Sequence, residues 1–285
     1  MSTTPKYGRQ FLPEMYFSGN DLRIAQSIYN GDTTLVKQIP ASEVNKVNDK
    51  GICFLIYSIY VYNERAMEIL LEKGADPNIY CEVRPNLIDY QEDTTPLSNA
   101  ADWPKSLSFV KILLSYHANI NDNRTTPALL CAVGRRNREV VDYLLDKGAN
   151  VNIQHAVTKN NALIEAADLH DWNMVNHLLD RGADPMLRDI SGDCLAYTIQ
   201  FQINRNRGTD KYKKTLQDLK KRLEGMGVVF PVEKIPPKDD DTSFEPQQPA
   251  PSQPPTKTPP PVQPVQSQNP KKKTWSIFFD DDETV

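Results

Sequence analysis

The chain has 285 residues, 39% of them hydrophobic, and a net charge of -4, enough for about two ordinary domains. Its basic runs (Arg135 with Arg136, Lys213 with Lys214, residues 220–222 and 271–273) are short and scattered, so the acidic balance excludes nucleic acid as the default partner. No stretch approaches the ~20 apolar residues of a membrane span; the longest apolar run is "ICFLIYSIYVY", residues 52–62.

The first twenty residues are polar and lack the apolar segment of an export signal. Cys53, Cys81, Cys131 and Cys194 show no paired spacing. Both features predict free thiols and a cytoplasmic protein, with the periplasm as the alternative if a leader precedes this sequence. Residues 1–19 read as an N-terminal arm.

From residue 20 the chain is periodic. "LRIAQSIYNGDTTLVKQI" (22–39) and "GICFLIYSI" (51–59) open the pattern. Four later stretches end alike: "MEILLEKGADPN" (67–78), "VKILLSYHANIN" (110–121), "VVDYLLDKGANVN" (140–152) and "MVNHLLDRGADPM" (174–186). Their shared glycine slot holds Gly74, His117, Gly148 and Gly182, at spacings of 43, 31 and 34. Glycine there supplies the left-handed residue that closes a helix, and the Asn and Asp after it are turn formers. A second motif opens each unit: "TTPLSNAA" (94–101), "TTPALLCA" (125–132), "NNALIEAA" (160–167) and the weaker "GDCLAYTI" (192–199). Thr caps free backbone N–H groups, Pro suits the first helical position, and paired small residues let neighbouring helices approach. Each unit is therefore two helices and a turn.

Residues 80–93 break the period by about ten residues. Tyr80, Arg84, Leu87, Ile88 and Tyr90 alternate there with Glu82, Asp89, Glu92 and Asp93. Insertions in repeat arrays map to loops on one face, often the binding face. The aromatic and Arg content favours a partner-contact finger. The rival is a loop folded back on its own stack, with Leu87 and Ile88 as the plug.

Past the last unit, Tyr212, Leu216, Leu219 and Leu223 mark one apolar face of a helix that Gly225 is expected to end. An apolar side for the stack and a polar side for water is what a terminal cap requires. Residues 230–270 hold a run of Pro, Gln and Ser and predict a disordered linker. Residues 271–285, "KKKTWSIFFDDDETV", then expose Trp275, Ile277, Phe278 and Phe279 between opposite charges. They read as a linear motif that docks on a second protein, with the carboxylate of Val285 available for capture. Docking onto its own stack is the rival.

The recurrence of T-P-L-x-x-A-A and L-L-x-x-G-A-D-x-N in phase, at about 33 residues per unit, resembles the ankyrin repeat. The resemblance implies an all-α solenoid of five or six units with short β-like turns over residues 20–229, followed by the disordered Pro-rich tail. His117 for Gly, Ala128 for Leu and Met186 for Asn depart from the pattern. Ankyrin arrays bind proteins on a concave surface of turn tips and first helices. The exposed positions expected there include Ser98, Asn99, Asp102, Trp103, Arg135, Arg136, Glu165, Asp168 and Trp172. With Tyr80, Arg84, Asp89 and Tyr90 of the finger, Asp102, Trp103, Arg135, Arg136 and Asp168 form the predicted partner-binding set. Trp103 filling a gap beside Pro104 and Trp172 in the core are the alternatives.

No phosphate loop, nucleophile elbow or H-E-x-x-H pattern occurs, and His117, His155, His170 and His177 lack metal-ligand spacing. No catalytic residue, metal or cofactor is expected, and an enzyme is the remote alternative. The terminal units ("GNDLRIAQSIYNGDTTLVKQI" and "KYKKTLQDLKKRLEGMGVVFP") also resemble a bacterial ankyrin family encoded beside type VI secretion effectors. That resemblance implies an immunity-type protein, monomeric when free, that neutralises or escorts a toxic effector enzyme. The alternative is a general adaptor whose array and C-terminal peptide hold two different proteins.

Overall fold

Helix pairs succeed one another along the chain, each pair one predicted unit. The computed structural model describes residues 11–84 and 92–235. A lead-in helix α1 (Pro13–Tyr16) precedes the first pair, α2 (Gly19–Tyr29) and α3 (Thr34–Gln38). The second pair is α4 (Phe54–Tyr60) and α5 (Glu64–Glu72). Strands β1 (Cys81–Val83) and β2 (Glu92–Thr94) follow, then α6 (Pro96–Ala101) with α7 (Leu107–Ser115). The remaining pairs are α8 (Ala128–Gly134) with α9 (Arg138–Asp146), α10 (Ala162–Asp168) with α11 (Trp172–Asp180), and α12 (Leu195–Arg205) with α13 (Asp210–Gly225). The first helices of successive pairs pack side by side from α2 to α12, and α3, α5, α7 and α9 form a second row.

The inner first-row helices, α4, α6, α8 and α10, are short and packed between neighbours on both sides. Every residue of α4 and of α6 is buried. Ala100, Ala101, Ala132, Ala166 and Ala167 sit where adjacent helices approach closest, none more than 2% exposed. Second-row helices are amphipathic instead. In α9, Val140, Val141 and Leu144 face inward while Arg138, Asp142 and Asp146 form ion pairs outside. The first Leu of each Leu-Leu pair (Leu70, Leu113, Leu144, Leu178) is fully buried. Each such burial is worth about 1.5–3 kcal/mol.

The helix-closing slot is left-handed in every unit that carries it: φ is 94° at Gly74, 66° at His117, 92° at Gly148 and 85° at Gly182. His117 therefore pays a conformational cost the glycines avoid. His117→Gly is expected to raise stability by about 1 kcal/mol, read as a higher denaturation midpoint. An unchanged midpoint would show that the exposed imidazole offsets its backbone.

The Asp/Asn-x-Asn tails after that slot link the units. The side chain of the first residue accepts from the N–H two residues on: Asp76 from Asn78 at 2.9 Å, Asn119 from Asn121 at 3.1 Å, Asn150 from Asn152 at 3.0 Å, Asp184 from Met186 at 2.8 Å. The side-chain oxygen of the Asn that ends each tail reaches the next unit. Asn78 accepts from the Asn119 N–H at 2.6 Å, Asn121 from Asn150 at 2.8 Å, and Asn152 from Asp184 at 2.8 Å. Asn45 begins this ladder by accepting from Asp76 at 2.7 Å. Met186 has no acceptor to continue it, so the departure from Asn falls where the ladder stops.

Both ends of the array reach beyond residues 20–229. Tyr16 and Phe17 belong to the core, packed on Phe54, Tyr57 and Tyr60. At the other end Val232 is buried, and the Gln200 amide holds its backbone by two bonds of 2.9 and 2.7 Å. Leu216, Leu219 and Leu223 of α13 are buried as the stripe predicts, and Arg222 joins Asn176 and Asp180 of α11. Gly225 lies inside α13; the left-handed residue that closes it is Gly227, φ 92°.

The all-α expectation needs one amendment, the ribbon. Strands β1 and β2 pair antiparallel, with Cys81 opposite Thr94, Glu82 opposite Asp93 and Val83 opposite Glu92. Among the described residues no helix is long and apolar enough to cross a membrane.

Candidate protein-binding face

The insertion is rooted on the second unit. Cys81 and Val83 are each 1% exposed, while Glu82 between them points outward. The Arg84 N–H donates to the Lys50 carbonyl at 2.8 Å. Gly51, φ 72°, lies so close that a Cβ on it would fall 1.7 Å from the Glu82 carbonyl oxygen. The base is thus held by the stack, but through Cys81, Val83 and Gly51. Leu87 and Ile88, the expected plug, and Asp89 and Tyr90 of the predicted finger lie outside the described residues. The C-V alternation around Glu82 was the available sequence signal, a period of two in a chain otherwise read by helical period.

The return strand walls a groove. Asp93 and Thr94 of β2 face Ser98, Asn99 and Asp102 of α6, Leu130, Cys131 and Gly134 of α8, and Glu165 of α10 across a cavity of about 240 Å³. Behind it lies a buried hydroxyl cluster. Ser98 Oγ is 3.0 Å from Thr95 Oγ1 and 3.2 Å from Thr125 Oγ1, and Thr95 and Ser98 cap α6 reciprocally. Ser98 and Asn99, expected as exposed positions, are 6% and 2% exposed. Helix α6 is so short that its capping turn faces the next unit instead of solvent. Burial pushes the Glu165 carboxyl up from its ordinary value, opposed by the Asn160 amide at 3.0 Å.

Two predicted residues meet across this groove's rim. The Arg135 guanidinium donates to both carboxylate oxygens of Asp102, Nε to Oδ1 at 2.9 Å and Nη2 to Oδ2 at 2.5 Å. Such paired bonds hold two charged groups in one geometry. Arg135 stays exposed at 56% of its side chain. Tyr80 and Arg84 line a separate hollow of about 340 Å³ with Val47, Asn48, Asp49, Gly51 and Glu82. Arg84 pairs there with Glu82 at 2.7 Å. Tyr80 donates to Asp93, and burial first, then that bond, pushes its phenol up to about 12. This bond links the two hollows. Asp168 is exposed at the end of α10, its carboxyl pushed up by burial, then by Asp189 and Asp193.

The other predicted residues have structural surroundings. Trp103 is half-buried in an aromatic cluster with Phe11, Tyr60 and Tyr62, centroids 5.3 to 6.2 Å away. Its buried indole N–H meets no acceptor among the described residues. Arg136 takes φ 54° at the turn between α8 and α9, the position held by Lys105 and His170 in the neighbouring units. Its Nη2 donates to the Leu169 carbonyl at 2.8 Å, so it braces the next unit. Trp172 is half-buried against His170 and Tyr212. Trp275, Ile277, Phe278, Phe279 and Val285 lie outside the described residues. Among the described residues no group of three or more His, Cys, Asp and Glu could hold a metal ion.

Comparison with known proteins agrees with this architecture. The family model described as "Ankyrin repeats (3 copies)" matches residues 23–124 and again 97–189. An ankyrin repeat protein of Acanthamoeba polyphaga mimivirus is 28% identical over 163 residues, 56% of this chain. The match spans only 20% of that relative's length. The crystal structure of the ankyrin repeat domain of Bcl-3, a member of the IkappaB protein family, superposes with a TM-score of 0.54 at 18% identity. That alignment covers 65% of this chain and 82% of the other. At that identity the likeness concerns the fold. Ankyrin repeats mark a protein–protein interaction module, a scaffold that is typically not enzymatic. With a repeat-by-repeat architecture and a family match over more than half its length, the chain belongs to the ankyrin-repeat family.

Proposed function

We propose that the array grips a protein partner along its first-row helices, with the ribbon as a side wall, and acts by covering the partner's surface. The observation that carries this is the groove between β2, α6, α8 and α10, rimmed by Asp102 and Arg135 and flanked by the Tyr80–Arg84 hollow. Arg and Tyr are the residue types that dominate interface energy when a partner buries them. In its finer form the partner is a toxic effector enzyme that the array neutralises or escorts. The aromatic segment around Trp275 and Phe278 supports a second reading, an adaptor whose tail holds another protein.

The test is affinity capture with the full chain, followed by titration of the captured protein against variants. Arg135→Glu and the double change Tyr80→Ala with Arg84→Glu are each expected to weaken binding at least about tenfold. Glu139→Lys on the outer row leaves it unchanged. Equal binding by all variants would overturn the groove, and loss only on removal of residues 271–285 would assign the partner to the tail. Growth rescue of cells making the captured protein distinguishes neutralisation from tethering.

A further inference from the structure

The Sγ atoms of Cys53 and Cys81 lie 3.7 Å apart, where the ribbon meets the second unit. Both residues are 1% exposed and both thiols are free. Cys53 is the residue before α4, two past Gly51; Cys81 opens β1 and pairs with Thr94 of β2. The two thiols therefore face each other across the seam where Gly51 meets the Glu82 carbonyl. Neither plays any part in the binding face proposed above. We propose that this pair is a site of reversible oxidation, in which a disulfide between Cys53 and Cys81 latches the ribbon to the second unit.

The chemistry needs a small-molecule disulfide as oxidant. The Cys53 thiolate attacks one sulfur of that disulfide, expelling a thiolate and leaving a mixed disulfide. The Cys81 thiolate then attacks the Cys53 sulfur and expels the second thiolate. Two protein thiols and one small disulfide become one protein disulfide and two small thiols; the protons lost by the cysteines go to the departing thiolates. The order follows from the surroundings. Accepting the Cys81 S–H holds the Cys53 thiol below its ordinary value against the effect of burial, with help from the N–H groups of Ile56 and Leu55. Cys81, as the donor, is pushed up. Closing 3.7 Å to the ~2.05 Å of an S–S bond asks the two side chains to rotate toward each other. Because both sulfurs are covered, oxidant reaches them only when the ribbon lifts, and the finished bond then holds the ribbon down.

The full-length protein is incubated with oxidised glutathione, digested without reduction and analysed by mass spectrometry. The expected product joins Cys53 to Cys81, consumes two of the four thiols and reverts with dithiothreitol. Hydrogen exchange at Val83 and Thr94 is expected to slow at least about fivefold on oxidation. Cys131→Ser retains both effects and Cys81→Ala abolishes both. Should Cys81→Ala fail to fold, wild type and Cys131→Ser carry the test alone. Glutathione on Cys131 with Cys53 and Cys81 still reduced would overturn the site, as would a link formed only in denaturant. A Cys53–Cys81 link that leaves ribbon exchange unchanged would overturn the latch.

Discussion

Gly51→Ala is expected to lower stability by about 3 kcal/mol, much more than the same change at Gly74. Both glycines are left-handed, φ 72° and 94°, so both substitutions incur the backbone cost of about 1–2 kcal/mol. Around Gly74 there is open space, whereas a Cβ on Gly51 would overlap the Glu82 carbonyl oxygen at 1.7 Å. That atom is backbone within a paired strand, so relief requires the whole ribbon base to move. Cys81 and Val83 would move with it and lose their cover. The check is thermal unfolding of the two variants beside the parent, with hydrogen exchange at the ribbon amides. For an array of this size the additional loss at Gly51 corresponds to a melting temperature several degrees lower, on the order of 2–4 °C per kcal/mol. If the variants melt together, the close approach at Gly51 contributes nothing to holding the ribbon. The binding proposed for Tyr80 and Arg84 should fall in step with ribbon order, since both flank β1.

Asn161→Ala carries the second large effect, also about 3 kcal/mol. Asn161 is 2% exposed and its amide serves two units at once. Oδ1 accepts from the N–H groups of Leu163 and Ile164 at 3.0 and 3.1 Å, capping α10. Nδ2 donates to the Leu187 carbonyl at 3.2 Å, in the turn of the next unit. Alanine removes the cap, worth about 0.5–2 kcal/mol, and strands a carbonyl at a cost of about 1–3 kcal/mol. Asn161→Ser separates the two, because a hydroxyl caps but falls short of Leu187. Serine should therefore recover roughly half the loss by denaturation, with the residual looseness reported by hydrogen exchange in the Asp184–Leu187 turn. Equal losses for Ser and Ala would mean that the cap is worth little here. Helix α10 carries Glu165 and Asp168, so a frayed start also loosens the far wall of the groove.

Much of this was legible in the residue pattern. A helix needs a capping residue, an apolar stripe and a left-handed stop, and each is a local demand recorded in sequence. Hence "TTPLSNAA" and "LLEKGADPN" announce their helices and their phase, and the stripe from Leu216 to Leu223 announces a cap. Even departures were informative: His117 keeps the left-handed backbone of the glycine it replaces, and Met186 stands where the asparagine ladder stops, one helix pair before the end of the array. Exposure was harder to read. Ser98 and Asn99 are polar and were expected on the surface, yet the short α6 turns them toward Thr125 and the neighbouring unit. Arg136 is exposed as expected, and its left-handed turn sends the guanidinium to the Leu169 carbonyl.

By itself, the sequence determined that this is a stack of ankyrin units with one insertion after the second unit, because period and capping are properties of neighbours along the chain. Only the tertiary structure decided what the insertion rests on, which polar side chains form a groove, and that Cys53 and Cys81 touch. Those facts join residues 28 to 72 positions apart (Cys53 with Cys81, Asp93 with Glu165), brought together by the packing of one repeat on the next. No local propensity records such a distance, since each unit is satisfied locally whichever neighbour covers its face.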